Sequence, residues 1–193
     1  MENPNFYIML LATPPGGPIS TQIGGPPVQL NTVLEIDQKD PAENNCTFHL
    51  TVDSQYDPGT HPPLDVHGPL SSLIFSARFV ELLKKENVNG IDFFPVEVTY
   101  APNSKKYSYM LANIKAVKDA LDESKSDYVF DKEKIIRIDN LVIDEKKAGA
   151  TKLFRLREDP NIIVVHKSLK FAFEASDYDG VEFVHDSEYV PGM

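Results

Sequence analysis

Ser72-Leu73-Ile74-Phe75-Ser76-Ala77-Arg78-Phe79-Val80-Glu81-Leu82-Leu83, with Asn89-Gly90-Ile91-Asp92-Phe93 after it, is the stretch from which the architecture is read. Ser71 or Ser72 offers the side-chain oxygen that caps a helix, and Leu73, Phe75, Ala77, Phe79, Val80, Leu82 and Leu83 cover one broad helical face. Asn87 to Gly90 stops that helix. Ile91 to Val98 is then a strand, with Pro95 marking an edge or a bulge because it has no N–H for a ladder. The same order returns near the C-terminus. Ser168 caps a short helix through Ala175, Asp179-Gly180 turns the chain, and Val181-Glu182-Phe183 repeats the apolar-acidic-Phe pattern of Ile91-Asp92-Phe93. The two copies differ in spacing, so this is a duplicated helix-turn-strand unit and not a solenoid.

Outward from these units the chain alternates strand and loop. Phe6 to Ala12, Val28 to Asp37, Phe48 to Val52, Tyr107 to Leu111, Ile135 to Ile138, Leu141 to Ile143 and Lys152 to Leu156 all read as strands. Asn161 to His166 is the strongest, with four β-branched residues in a row. Asn113 to Leu121 has two readings, a helix from Ile114, Val117 and Leu121, or the continuation of one long bulged strand. Residues 13–27 and 53–69 are dense in proline and glycine and read as loop. Strands and helices mix without regular β-α alternation. The expected class is therefore α+β, a mixed or antiparallel sheet with a few short helices. Residues 1–68 are expected as a Pro/Gly-rich strand-and-loop lobe and 69–193 as an α+β domain, the two packed as one compact body.

The charge balance narrows the partners. Net charge is −10 with a pI near 4.9. A surface of that sign repels phosphate backbones and anionic membranes, and it attracts a basic protein. A single cysteine, Cys46, excludes an internal disulfide and fits a reducing, cytoplasmic compartment. The apolar run at the N-terminus is too short to cross a bilayer and no basic residue precedes it.

Chemistry-bearing motifs are few. His61, Asp65 and His67 fall within seven residues of a proline-rich loop, a spacing that admits a metal but completes no recognised ligand set. His49, His166 and His185 stand alone on strands. Asp119, Asp122 and Glu123 lack the alternate spacing and central glycine of a calcium loop. There is no nucleophile elbow and no phosphate-cradling glycine loop. No catalytic, cofactor-binding or metal residue is assigned on these grounds. The acidic end is more informative. Glu174, Asp177, Asp179, Glu182, Asp186 and Glu188 run without a lysine or arginine between them and alternate with Tyr178 and Tyr189. Carboxylates that steer encounter, beside aromatics that supply contact area, are the composition of a partner-binding surface.

Several segments carry a resemblance. Gly90-Ile91-Asp92-Phe93-Phe94-Pro95-Val96, Tyr107-Ser108-Tyr109-Met110-Leu111-Ala112-Asn113, Asp119-Ala120-Leu121-Asp122 with Ser124 or Ser126, and Lys152-Leu153-Phe154-Arg155-Leu156 occur in that order. Ile162 to Val165, Ser168-Leu169-Lys170 and Gly180-Val181-Glu182-Phe183 complete it. The stretch from about Leu70 to Phe183, about 60% of the chain, thus resembles a bacterial family of toxin-system immunity proteins typified by a Myxococcus immunity protein. The resemblance implies a protein that binds and neutralises a cognate toxin by steric and electrostatic occlusion, the toxin being basic and encoded nearby. It implies no enzyme, no cofactor and no catalytic residue. Self-association into a homo-oligomer is compatible with it. Two alternatives stand beside it: a secretion adaptor or chaperone for an exported effector, and a small metal-dependent hydrolase built on His61, Asp65 and His67.

Overall fold

A computed structural model describes residues 5–12, 21–24, 48–52, 64–67, 73–100, 104–131 and 134–190. The first elements in chain order are β1 (Phe6–Leu11), β2 (Thr21–Gly24), β3 (Phe48–Val52), β4 (Val66–His67), β5 (Ile74–Ser76) and α1 (Ala77–Lys85). Next come β6 (Ile91–Tyr100), β7 (Lys105–Ile114), β8 (Val117–Lys118), β9 (Asp127–Asp131) and β10 (Lys134–Asn140). The chain closes with α2 (Glu145–Ala148), β11 (Leu153–Leu156), β12 (Ile163–His166), α3 (Lys167–Glu174), β13 (Val181–His185) and a 3₁₀ turn at Asp186–Glu188. These form a five-stranded sheet β13-β1-β12-β11-β8, a six-stranded sheet β2-β3-β6-β7-β5-β4, and a separate β9-β10 hairpin. Parallel pairing occurs at β11/β8 and β3/β6 and the remaining pairs are antiparallel. The class is thus α+β with mixed sheets. No helix among the described residues is long and apolar enough to cross a membrane.

The duplicated unit is present and is more regular than its sequence suggests. In one copy β5 and β6 flank β7, with α1 as the crossover; in the other β12 and β13 flank β1, with α3 as the crossover. Their registers correspond: Ile74 and Phe94 both sit opposite Leu111, and Val164 and Val184 both sit opposite Ile8. Each helix gives way to a residue with positive φ, Asn87 at 55° or Asp177 at 52°. A glycine follows three positions later, Gly90 at 79° or Gly180 at 96°.

The unequal spacing read from sequence came from placing both caps wrongly. Ile74 to Ser76 are not helical, because their backbone is taken by pairing with β7, and the helix starts only after Ser76, whose Oγ accepts the Phe79 N–H at 3.2 Å. Ser168 lies inside the first turn of α3; the cap is His166, whose Nδ1 accepts the Ser168 N–H at 3.2 Å. Measured from the true caps, the step to the glycine is the same in both copies.

Other local expectations divide similarly. The ambiguous 113–121 segment is extended, β7 ending at Ile114 and β8 following at Val117. Thr21–Gly24 is a strand inside a region expected as loop, paired with β3 where the run is free of proline. β9 and α2 have no counterpart in the sequence reading. Pro95 sits in an unbroken register with β7, and among the described residues β3 joins β6 only from Val96 onward, which leaves the proline on the side of β6 without a partner there. The expected strand at Val28 to Asp37, Cys46 and His61 lie outside the described residues.

The five-stranded sheet is buried on both faces. On one, Met9, Leu153, Ile163 and Val165 pack against Phe75, Phe79, Leu83, Leu169 and Phe173. On the other, Ile8, Phe154 and Val164 pack against Leu121, Ile138, Leu141, Ile143 and Ala148. Two-sided burial explains why β12 reads as a continuous apolar run instead of an alternation. The two helices meet ring to ring, Phe79 stacked on Phe173 at 4.6 Å and Phe173 on Phe183 at 5.5 Å. Each such side chain removed from water contributes about 1.5–3 kcal/mol.

Candidate partner-binding face

β13 forms one edge of the five-stranded sheet, with β1 on one side and no strand on the other among the described residues. The eight acidic and aromatic positions singled out from sequence are strung along it: Glu174 ends α3, Asp177 to Asp179 form the turn before β13, Glu182 lies within it, and Asp186 to Tyr189 follow it. They make two groups at opposite ends of the strand, not one cluster.

The first group rests on a buried carboxylate. Asp65 is 3% exposed. Its Oδ1 accepts from the Ser76 hydroxyl at 2.6 Å and from Arg78 Nε at 2.7 Å. Its Oδ2 is paired with the second Arg78 nitrogen and accepts the Asp179 N–H at 3.1 Å. The Asp65 and Val66 N–H groups in turn donate to the Asp179 carbonyl, both at 3.2 Å. Arg78 also donates to the Asp177 carbonyl at 3.0 Å and lies 4.6 Å over the Tyr178 ring. The Asp65 hydrogen bond and charge hold the guanidinium above its ordinary pKa. The Tyr178 ring is edge-on to Phe79 at 5.3 Å and its hydroxyl donates to the Arg78 carbonyl, while burial raises its pKa. One carboxylate therefore fastens the start of α1 to the turn that opens β13, and the side chains of Asp177 and Asp179 are held outward in solvent.

At the other end Asp186 is buried and acts as a brace. Its Oδ2 accepts the Ile143 N–H at 2.9 Å, and Oδ1 accepts the Ser187 N–H at 2.8 Å and lies 2.7 Å from His185 Nδ1. Tyr189 is half-buried against the second core, which raises its pKa. Glu188 is exposed. Across the face, Glu174, Asp177, Asp179, Glu182 and Glu188 are exposed carboxylates, and Glu174 has a salt bridge, to Lys170 at 2.6 Å.

Of the loop constellation, Asp65 is committed to Ser76, Arg78 and Asp179, while His61 and the His67 side chain lie outside the described residues. Among the described residues no group of three or more His, Cys, Asp or Glu is placed to hold a metal. His166 and His185 cap helical turns through Nδ1, a role their isolation on strands did not suggest. Asp122 closes a tight turn, its carboxylate bonded by Ser124 and Lys125 and drawn down to about 2.

Sequence reading missed one surface. Tyr128-Val129-Phe130 pairs with β10, and there Phe130 and Ile136 present apolar side chains to solvent. The signal was available as two aromatics around a valine, bracketed by Asp127 and Asp131 ahead of a charged turn. By sequence, residues 12–186 match the immunity protein family Imm11. No curated protein matches the chain.

Proposed function

The chain belongs to the Imm11 immunity protein family, and from that premise we propose that it binds a cognate protein toxin and silences it by occupancy, without catalysing a reaction. The observation that carries the reading is the edge of β13, which no strand pairs among the described residues, lined by Asp177, Asp179, Glu182 and Glu188 with no lysine or arginine in its own segment. Carboxylates placed this way attract a cationic partner over distance and pair with its Arg or Lys groups on contact. The rigid turn built on Asp65 and the brace at Asp186 hold those groups in place before the partner arrives, which lowers the ordering cost of binding. A basic toxin encoded beside the gene, met in the cytoplasm, is the partner this surface fits.

The test uses the purified chain and the product of the adjacent reading frame. Association should be fast at low salt and slow steeply as salt rises. Replacing Glu182 and Glu188 together by lysine should cut the association rate by about tenfold or more and should weaken protection of cells that express the toxin. Absence of binding to any neighbouring product, or an unchanged rate in the lysine variant, refutes the proposal. Binding without protection of toxin-expressing cells points instead to an adaptor.

A further inference from the structure

We infer that the toxin is held by strand addition: an extended segment of it, alternating apolar residues with Lys or Arg, pairs along the outer edge of β13 and enlarges the five-stranded sheet. This rests on the immunity reading above and names its mode of contact. The backbone decides which groups are on offer. β13 runs antiparallel to β1 in an unbroken register, from Tyr7 opposite His185 to Leu11 opposite Val181. One step further the Ala12 N–H donates to the Gly180 carbonyl at 3.1 Å, which makes that pair a hydrogen-bonded one. Such pairs alternate along an antiparallel ladder. Glu182 and Val184 therefore turn their N–H and C=O groups toward β1, and Val181, Phe183 and His185 turn theirs away from it. Among the described residues no strand and no backbone hydrogen bond meets those three on the outer side. The bonds from Asp65 and Val66 end at the Asp179 carbonyl, before the strand begins. A row of outward donors and acceptors is what an incoming strand pairs with.

Side chains and charge select the occupant. Val181 and Phe183 are partly buried against the first core, and Glu182, on the opposite face, is exposed. A strand laid alongside would set apolar residues next to Val181 and Phe183 and the residue between them next to Glu182. Residues 174–188 carry six carboxylates and no lysine or arginine. The cations bonded to this segment are Arg78 and Lys170, and each is already paired with a carboxylate, Asp65 or Glu174. Asp177, Asp179, Glu182 and Glu188 are left without an ion pair among the described residues. A second copy of this chain would set those carboxylates against their own kind, a device that keeps edges from pairing with themselves. A basic strand meets the opposite condition.

His185 allows the backbone to be tested alone. Its φ is −61°, the value proline adopts. His185→Pro removes the outward N–H and sets a ring in the path of an added strand, whereas His185→Ala loses the same imidazole and keeps the N–H. Both variants and the wild type are titrated with the product of the adjacent reading frame, and residue-resolved amide exchange is followed in the wild-type complex. His185→Pro should bind about tenfold or more weakly than His185→Ala, with similar thermal midpoints. On binding, exchange should slow most at Phe183 and His185, and less at Glu182 and Val184, which β1 already protects. Equal affinities of the two variants, or no added protection at Phe183 and His185 while wild type binds, overturns the inference and leaves the immunity reading standing. If His185→Pro does not fold, the exchange pattern decides by itself. A wild-type dimer that His185→Pro abolishes, with toxin affinity the same in both variants, overturns it in favour of edge pairing between copies. Failure of wild type to bind the toxin refutes both.

Discussion

Replacing Gly180 by alanine tests the joint that positions the acidic edge. The backbone there has φ of 96°, and an added Cβ would fall 2.0 Å from the Val66 carbonyl oxygen, 3.0 Å from its carbon and 3.1 Å from its nitrogen. These are backbone atoms, so no rotamer change relieves the contact. Adopting positive φ costs alanine about 1 kcal/mol. Clearing the carbonyl requires the 64–67 segment and the 177–180 turn to separate. That breaks or weakens the two N–H bonds to the Asp179 carbonyl and the Asp179 N–H bond to Asp65. At about 0.5–1.5 kcal/mol each, the total reaches about 3–5 kcal/mol. Gly149 is the control for conformation without a clash: nothing lies within 4 Å of an added Cβ, and its φ of 63° with ψ of −143° is a backbone region kept almost wholly to glycine, so Gly149→Ala should cost about 1–3 kcal/mol. Urea unfolding followed by circular dichroism gives both values. For a domain of this size the thermal midpoint should fall by about 2–4 °C per kcal/mol, on the order of 10 °C for Gly180→Ala and less for Gly149→Ala. Losses within about 1 kcal/mol of each other, about twice the usual additivity error, would refute the steric argument, leaving only the conformational one.

Two further predictions follow the same joint and its counterpart. Asp65→Ala should destabilise the protein by about 3 kcal/mol, since it removes a buried carboxylate that satisfies four donors; a double-mutant cycle with Arg78→Met should show a coupling above about 1 kcal/mol, and additive losses would contradict the hub. His166 caps α3 only while Nδ1 is unprotonated, and burial lowers its pKa from the ordinary 6.5. With the folded pKa depressed, the unfolded chain takes up the proton first, so this contribution is complete above pH 6.5 and declines as pH falls through that value toward the folded pKa. His166→Asn keeps a capping oxygen and should flatten the stability profile in that window; an unchanged slope would assign the pH dependence to other groups.

What was legible in the chain is what local chemistry decides. The β-branched run at Asn161 to His166, the amphipathic stretch ending at Asn87 to Gly90, and the helix-glycine-strand order all reflect short-range sterics and side-chain patterning, and each survives in the fold. The acidic character of the C-terminal stretch is likewise a property of composition. Tertiary structure decided the rest, because long-range pairing outcompetes local preference. Ile74 to Ser76 look helical in isolation but are claimed by β7, and Thr21–Gly24 becomes strand because β3 lies beside it. Asp65 reads in sequence as part of an exposed proline-rich loop and is instead a buried fastener, since its partners Arg78 and Asp179 arrive from other parts of the chain. The equal geometry of the two units emerges only from their registers, and the solvent-facing Phe130 of β9 only from knowing which neighbours the core left unfilled. Sequence carries side-chain chemistry and local periodicity; which groups meet, and which stay open to a partner, is settled by contacts between residues far apart along the chain.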